Sequence, residues 1–166
     1  MFSKFFPDAT AKSTYDIDFE ALYVQGIRGL LFDIDNTLVP HGAPADARAE
    51  ALFARLKAIG FNCCLISNNK EARVLMFNKN IKVNYIYDAH KPARTGYERA
   101  MKLMGTNKTN TVFIGDQLFT DVYGAKRTGI RNILVSPIHP KEEIQIVFKR
   151  KLEKIVLYFY KKQKNS

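Results

Sequence analysis

Cysteine, histidine and long apolar runs are scarce in this sequence of 166 residues, and each scarcity excludes a class of protein. The two cysteines, Cys63 and Cys64, are adjacent, so they point to opposite faces of an extended chain and are poorly placed to bridge each other. Neither a second cysteine pair nor a histidine cluster is present to complete a zinc site. We therefore interpret both cysteines as buried apolar residues of a reducing compartment.

Every apolar stretch is much shorter than the roughly 20 residues that a transmembrane helix needs. The N-terminal segment also lacks the apolar core of a signal peptide, so we expect a cytoplasmic protein. Hydrophobic residues make up 46% of the chain and charged residues 25%, which is ordinary for a globular protein with one domain. Extensive disorder is therefore not expected.

The net charge of +10 is concentrated near the end of the sequence, where seven lysines and arginines follow Phe148 and Glu153 is the single acid. Apolar residues recur in this segment at three- and four-residue spacing: Ile144, Phe148, Leu152, Ile155 and Phe159. The spacing predicts a long helix from about Lys141 to Lys162. Such a helix either packs its apolar stripe on the core or lies on an anionic membrane, where each cation contributes about 1 kcal/mol.

Short β-type apolar runs alternate with helical patterns, which is typical of βαβ units and a parallel sheet. The predicted strands are Gly29–Ile34, Asn62–Ser67, Asn84–Tyr87, Thr111–Gly115 and Asn132–Val135. The predicted helices between them are Ala45–Ile59, Lys70–Lys79, Ala93–Met104 and Phe119–Thr128. We expect an α/β, Rossmann-like three-layer sandwich with a mainly parallel, five-stranded sheet. Its parts are a wrapping segment (1–28), a core (29–140) and a basic amphipathic C-terminal helix (141–166).

Polar residues follow four of the predicted strands. They are Asp33–Thr37, Ser67–Asn69, His90–Pro92 and Gly115–Asp121. Because open parallel sheets form their sites at the carboxyl ends of the strands, we expect these residues to converge. Several carboxylates at one edge repel each other, and a hard divalent cation such as Mg²⁺ relieves that repulsion.

These side chains suit phosphoryl transfer. A carboxylate can attack phosphorus to form an aspartyl phosphate, which splits hydrolysis into two easier steps. Asp35, two positions after Asp33, returns to the same side of an extended chain and can protonate the leaving oxygen and later deprotonate water. Ser67, the amide groups beside it and Lys91 can hold the phosphoryl oxygens.

The chain resembles haloacid dehalogenase (HAD) superfamily phosphatases in four ordered motifs: DIDNT at 33–37, SNN at 67–69, KP at 91–92 and GDQLFTD at 115–121. The strings FDIDNTLV and GDQLFTDV are most similar to the YqeG-like branch, subfamily IIIA. The spacing between these motifs leaves no room for a second domain, so we expect a site without a cap.

The resemblance implies a role for each matching residue. Asp33 is expected to be the nucleophile and a metal ligand, and Asp35 the acid/base, with its carbonyl on the metal. Ser67 and Lys91 are expected to bind phosphate, and Asp116 to ligate Mg²⁺.

Two positions are less closely defined. The resemblance makes Asp121 a further acid near the metal, whereas its position also suits an acid in the first turn of a helix. Asn68 is placed near the substrate by spacing alone, as are Asn36 and Asn69. The three histidines, His41, His90 and His139, receive no role.

The YqeG-like branch is similar to phosphatases that convert phosphatidylglycerophosphate to phosphatidylglycerol. The resemblance therefore implies a phospholipid head group, and with it contact with the inner face of the cell membrane. The basic terminal helix fits an anionic membrane surface, as do Phe2, Phe5 and Phe6 beside Lys4.

Other functions are compatible with the same residues. The substrate can instead be a nucleic-acid end, a phosphoprotein or a soluble phosphomonoester. A nucleic acid is not the partner that we expect, because the basic charge clusters on one terminal segment without an aromatic stacking platform. A non-enzymatic binding module at the ribosome is the third alternative, and the intact pair of Asp33 and Asp35 argues against it.

Overall fold

The computed structural model describes residues 2–139 and 144–165. Within them, six strands form one sheet in the order β1-β6-β5-β2-β3-β4, and every neighbouring pair is parallel. The strands are β1 (Ala9–Ala11), β2 (Gly29–Phe32), β3 (Asn62–Ile66), β4 (Asn84–Ile86), β5 (Thr111–Gly115) and β6 (Arg131–Val135). The helices are α1 (Phe19–Val24), α2 (Ala47–Ile59), α3 (Glu71–Ile81), α4 (Arg94–Met104), α5 (Tyr123–Thr128) and α6 (Ile144–Lys164).

The predicted fold class is confirmed, since helices cover both faces of a parallel, Rossmann-like sheet. Residues 35–91, all of which the structure describes, contain α2, β3, α3 and β4 and no cap domain. The prediction of five strands is wrong, because the segment before Gly29 supplies β1 at the edge of the sheet. With three residues and no apolar run, β1 lacks the pattern of a strand, and it is the register of Ala9 with Ile133 that identifies it.

Most predicted bounds agree with the structure to within two residues. The exception is the segment before α5, where Leu118–Val122 forms a π-helical turn instead of the first turn of an α-helix. The predicted start of the terminal helix at Lys141, and the boundary proposed between residues 140 and 141, lie outside the described residues.

The two central strands build the core on both faces of the sheet. Leu30 and Phe32 of β2 join a cluster with α1, α2 and α3, whereas Leu31 of β2 and Phe113 of β5 join a cluster with α4 and α5. Every residue of β2 and β5 is buried, as expected for parallel strands covered on both faces. The polar residues that directly follow these strands are therefore attached to fully buried strands.

The inner side of α6 packs on the end of the sheet. Val156 of α6 joins a small apolar cluster with Leu118, Val122 and Leu134. Aromatic residues near the start of the chain extend this contact, with ring centroids 5.6 Å apart for Phe2 and Phe159 and 5.2 Å apart for Phe6 and Tyr160. The three N-terminal phenylalanines are thus half-buried against the terminal helix and its surroundings.

The predicted apolar stripe of α6 is largely exposed, although Phe159 at its end also stacks on Phe2. Phe148, Leu152, Ile155 and Phe159 are exposed by 64, 41, 50 and 44%, respectively. The helix therefore contacts the core with one side and presents apolar surface with the other. No helix among the described residues is long and apolar enough to cross a membrane.

Candidate active site

The site lies at the carboxyl ends of the two central strands. Asp33 follows β2 and Asp116 follows β5, and the Asp33 amide donates to the Ile114 carbonyl at 3.0 Å. Asp33, Asp116 and Asp121 each offer a carboxylate oxygen, and these three atoms lie within 4.8 Å of one another. The predicted convergence of the first and fourth motifs is therefore present in the structure.

Lys91 is the cation at the centre of this cluster. Its Nζ donates to Asp33 Oδ1 and to Asp121 Oδ1, both at 2.8 Å, and its side chain is only 4% exposed. Burial opposes the charged form, but the charges of Asp121 and Asp33 outweigh burial and raise the pKa of Lys91 above its usual range. The lysine is therefore a permanent positive charge in the site.

Asn68 holds the main chain of Lys91 in place. The Lys91 amide donates to Asn68 Oδ1 at 2.7 Å, and Asn68 Nδ2 donates to the Lys91 carbonyl at 3.2 Å. The peptide bond between Lys91 and Pro92 is cis. The Asn68 side chain thus orients the lysine, whereas the sequence placed it near the substrate.

Asp121 lies inside the site rather than on an exposed helix turn. It is 1% exposed, and its Oδ2 accepts from the Gln117 amide at 3.1 Å. Burial, with a contribution from the Asp33 charge, raises the pKa of Asp121 to about 6 even though Lys91 acts in the opposite direction. Gly115 makes room for it, because a Cβ there would lie 2.5 Å from Asp121 Oδ2.

Two residues to which the sequence gave no role hold the carboxylates. Thr37 Oγ1 lies 3.4 Å from Asp33 Oδ2 and 3.1 Å from Asp116 Oδ1, between the two acids. Arg150 of α6 donates through Nη1 to the Asp116 carbonyl at 2.7 Å and through Nη2 to Asp116 Oδ2. Thr37 stands inside the DIDNT motif and was therefore detectable, but no local pattern distinguishes Arg150 from the other cations of the terminal helix.

Asp35 is directed away from the acidic cluster. Arg73 donates to its Oδ1 through Nη2 at 2.8 Å and Nε at 3.2 Å, the Gly42 amide donates to the same oxygen at 2.7 Å, and Asn69 Nδ2 donates to Oδ2 at 2.8 Å. Burial opposes ionisation, but the Arg73 hydrogen bonds, the Gly42 amide and the charges of Arg73 and His41 outweigh it and lower the pKa of Asp35. Arg73, on the first turn of α3, is the third residue that the sequence did not single out.

Ser67 is buried at the end of β3, next to the site. Its amide donates to the Ile86 carbonyl at 2.9 Å, and its Oγ accepts from the Asn69 amide at 3.0 Å. This turn directs Asn69 towards Asp35. Asn36 has a left-handed backbone (φ 61°), and its Oδ1 accepts from the His139 amide at 3.2 Å, so its side chain connects two loops.

The donor set fits a divalent cation. Three buried carboxylates face one another, and burial together with the charges of Asp33 and Asp121 raises the pKa of Asp116 well above its usual range. A hard cation with oxygen ligands would relieve the part of this shift that comes from the neighbouring carboxylate charges. Lys91 and Arg150, which contact the cluster, balance part of the charge.

Comparison with known proteins agrees with this geometry. A family model described as HAD-hydrolase-like matches residues 88–146. The chain is 36% identical over 165 residues to the probable phosphatase YqeG of Bacillus subtilis (strain 168), which covers 98% of this chain and 96% of that protein. It is 30% identical over 164 residues to phosphatidylglycerophosphate phosphatase 1, chloroplastic/mitochondrial, of Arabidopsis thaliana, which covers 91% of this chain and 47% of that protein.

Solved structures show the same fold. The HAD phosphatase from Thermococcus onnurineus superposes with a TM-score of 0.55 at 15% identity, over 71% of this chain and 90% of that one. At this identity the likeness concerns the fold alone, whereas the match to the Bacillus protein spans nearly the whole of both chains. The chain belongs to the HAD superfamily phosphatases, in the YqeG-like branch.

Proposed function

We propose that the protein is a Mg²⁺-dependent phosphomonoester hydrolase that forms an aspartyl phosphate on Asp33 and acts on phosphatidylglycerophosphate at a membrane surface. The observation that carries the chemistry is the setting of Asp33, with Lys91 Nζ 2.8 Å from one carboxylate oxygen and Thr37 Oγ1 beside the other. A carboxylate that is oriented by these contacts, next to a cation that attracts phosphate, is suited to nucleophilic attack.

Hydrolysis then proceeds in two steps. In the first, an Asp33 oxygen bonds to phosphorus, the phosphorus–oxygen bond to the alcohol breaks, and Asp35 transfers its proton to the leaving oxygen. In the second step, a water molecule gives a proton to Asp35. The water oxygen bonds to phosphorus, which breaks the bond between phosphorus and Asp33 and releases phosphate. The carboxylate and the acid are both restored, so the cycle closes.

The remaining residues of the site bind and orient. Lys91 and Ser67, with the amides that follow Ser67, are placed to hold the phosphoryl oxygens. Asp33 and Asp116 would hold Mg²⁺, with Asp121 beside them. When bound, Mg²⁺ supplies positive charge that offsets the charge of the phosphate and of these carboxylates.

Asp35 needs a change of partner to act in this cycle. In the structure it is paired with Arg73, which favours the ionised form, so it must leave this ion pair and take up a proton before it can protonate the leaving oxygen. A leaving group that interacts with Arg73 would release Asp35 for this change. One contact with substrate would thereby bring the acid into place.

Two observations support a lipid as the carrier of the phosphate. A relative that matches over 91% of this chain is named a phosphatidylglycerophosphate phosphatase. In addition, the outer side of α6 exposes Phe148, Leu152, Ile155 and Phe159 among lysines, which is the pattern of a helix that lies on an anionic membrane. The absence of a cap in residues 35–91 leaves the site accessible to a phosphate that is carried on a surface.

A substrate comparison tests the chemistry and the carrier together. Purified protein with Mg²⁺ is given phosphatidylglycerophosphate in vesicles, a sugar phosphate and a 5′-phosphorylated oligonucleotide, and released phosphate is measured. We expect the highest kcat/KM for the lipid and a loss of well over tenfold in Asp33→Asn, because an amide keeps the shape but lacks the attacking charge. Higher activity on either soluble substrate would refute the lipid assignment, and turnover by Asp33→Asn near the parent rate would refute the nucleophile.

Flotation with anionic vesicles tests the membrane surface. The double variant Ile155→Glu/Phe159→Glu should reduce vesicle binding by more than tenfold, since each side chain loses about 1–1.5 kcal/mol of apolar burial. Leu103→Glu is the matched control, because Leu103 is 53% exposed on α4, away from the terminal helix. Equal flotation of the double variant and the control would exclude α6 as the contact surface.

A further inference from the structure

Arg150 links α6 to Asp116, one of the three clustered acids of the site. Its side chain is 16% exposed, and that of its partner Asp116 is fully buried. The guanidinium contacts Asp116 twice, at the main-chain carbonyl through Nη1 and at the carboxylate through Nη2. Two donors of one planar group on one residue define both the position and the rotation of that residue.

The two carboxylate oxygens of Asp116 have different partners. Oδ2 accepts from Arg150, whereas Oδ1 accepts from Thr37 Oγ1, which also contacts Asp33. Oδ1 is therefore the oxygen that shares Thr37 with Asp33, and Arg150 contacts the other carboxylate oxygen. The arginine is thus placed to hold Asp116 from the side of Oδ2, with Oδ1 on the side of Thr37 and Asp33.

Glu153 connects this contact to the loop after β5. Its Oε2 pairs with Arg150 Nη1 at 3.0 Å, and its Oε1 accepts from the Leu118 amide at 3.1 Å. Glu153 is 6% exposed, and Val156 packs on Leu118 one turn further along the helix. The position of α6 on this loop and the orientation of Asp116 are thus parts of one buried hydrogen-bonded network.

We infer that Arg150 is a positioning residue for the metal ligand Asp116, and that the seating of α6 thereby sets the affinity of the active site for its divalent cation. The inference rests on the proposed function in taking Asp116 as a ligand of Mg²⁺. The helix that presents the proposed membrane surface on its outer side would then control the metal site with its inner side. Groups that orient a metal ligand typically change metal affinity by about 10–100-fold when they are removed.

The inference is tested by titration calorimetry of Mg²⁺ binding to the full-length protein without substrate. We expect Arg150→Gln to weaken Mg²⁺ binding by about tenfold or more, and Arg150→Lys, which keeps the charge but lacks the second donor, to weaken it by a smaller factor. Lys151→Gln and Lys154→Gln are matched controls, because they remove the same charge from exposed positions of the same helix, and they should stay within about twofold of the parent.

The alternative is that Arg150 merely competes with the cation for negative charge. Arg150→Gln would then bind Mg²⁺ more tightly, and Arg150→Lys would match the parent; either tighter or unchanged binding in Arg150→Gln overturns the inference. Far-ultraviolet circular dichroism and a thermal melt show whether the variant is folded. If Arg150→Gln is not folded, the test passes to Glu153→Gln, which keeps an acceptor for the Leu118 amide and must weaken Mg²⁺ binding. Unchanged Mg²⁺ binding by Glu153→Gln overturns the inference equally.

The measurement separates this inference from the proposed function. Loss of turnover in Asp33→Asn together with unchanged Mg²⁺ affinity in Arg150→Gln would leave the hydrolase assignment intact and remove only the role of Arg150. Failure of the parent protein to bind Mg²⁺ would instead overturn the metal assignment and the positioning role together.

Discussion

The raised pKa of Asp121 makes the metal-free protein less stable as the pH rises. Asp121 is completely buried, and burial raises its pKa from 3.8 to about 6 despite the ion pair with Lys91. A carboxyl group whose pKa is raised on folding stabilises the folded state. This stabilisation is complete at pH values below the pKa of the group in the unfolded chain, and it is lost as the pH rises through the folded-state pKa of about 6. An increase in pKa of about 2 contributes roughly 3 kcal/mol to the free energy of unfolding at low pH. Roughly 1.4 kcal/mol of this contribution is lost between pH 5 and pH 8.

Urea unfolding in EDTA, followed by circular dichroism at pH 5, 6, 7 and 8, measures this effect. The free energy of unfolding of the parent should fall by at least about 1.4 kcal/mol over this range, because the raised pKa values of Asp116 and Glu153 act in the same direction. Asp121→Asn should remove about that amount from the slope while keeping an acceptor for Lys91 Nζ. Saturating Mg²⁺ should also flatten the slope, since it binds the ionised carboxylates.

Asp88→Asn is the control for loss of a carboxylate in general, because Asp88 pairs with Lys70 at the surface. Its unfolding profile should follow that of the parent. If Asp121→Asn keeps the parent slope, or if the parent becomes more stable between pH 5 and pH 8, the assignment of a raised pKa to Asp121 is wrong.

Three further substitutions test individual contacts. Thr37→Val should lower kcat/KM by about tenfold, because it removes the hydroxyl between Asp33 and Asp116. Thr37→Ser keeps the hydroxyl and should retain most activity. Equal activity of the two variants would show that the hydroxyl is dispensable. Gly115→Ala should lower the free energy of unfolding, measured in urea titrations, by about 1–3 kcal/mol, because the alanine Cβ would lie 2.5 Å from Asp121 Oδ2. An unchanged urea midpoint would contradict this clash. Arg73→Gln should move the limb of the pH–rate profile that Asp35 governs to higher pH, because Arg73 lowers the pKa of Asp35. Arg73→Lys should move this limb by a smaller amount. A shift of the limb to lower pH would refute the pairing of Arg73 with Asp35.

The part of the site that follows from the sequence is the part that lies at strand ends. Asp33, Lys91 and Asp116 were predicted to meet because each directly follows a β-type run or its loop, and parallel strands bring such residues to one edge. The same reasoning covers the placement of Asp121 beside the cluster. Its burial is not apparent from the pattern, because it depends on Gly115 and on the π-helical turn.

Contacts that depend on distant packing were not predictable. Asp35 was expected to face the same side as Asp33, but its carboxylate pairs with Arg73, which comes from a distant part of the sequence, and a left-handed turn follows at Asn36. Arg150 is separated from Asp116 by 34 residues, and neither has a local pattern that points to the other.

The terminal helix shows why periodicity alone does not identify the face that packs on the core. The apolar spacing from Ile144 onward predicted one stripe, whereas the side that packs on the core is built from Glu153, Val156 and the stem of Arg150. A buried ion pair at the contact gives no hydrophobic signal. The more obvious stripe, which includes Phe148, instead remains 41–64% exposed.

The contribution of α6 to Asp116 has a consequence for the order in which the protein matures. During translation, Asp33, Lys91 and Asp116 leave the ribosome well before Arg150, so the sheet of the nascent chain gathers its acids while one counter-charge is still missing. Until α6 emerges and docks, such an intermediate would depend on cellular cations to offset the crowded carboxylates. The surroundings of Asp116 would thus be completed only after the sheet has formed.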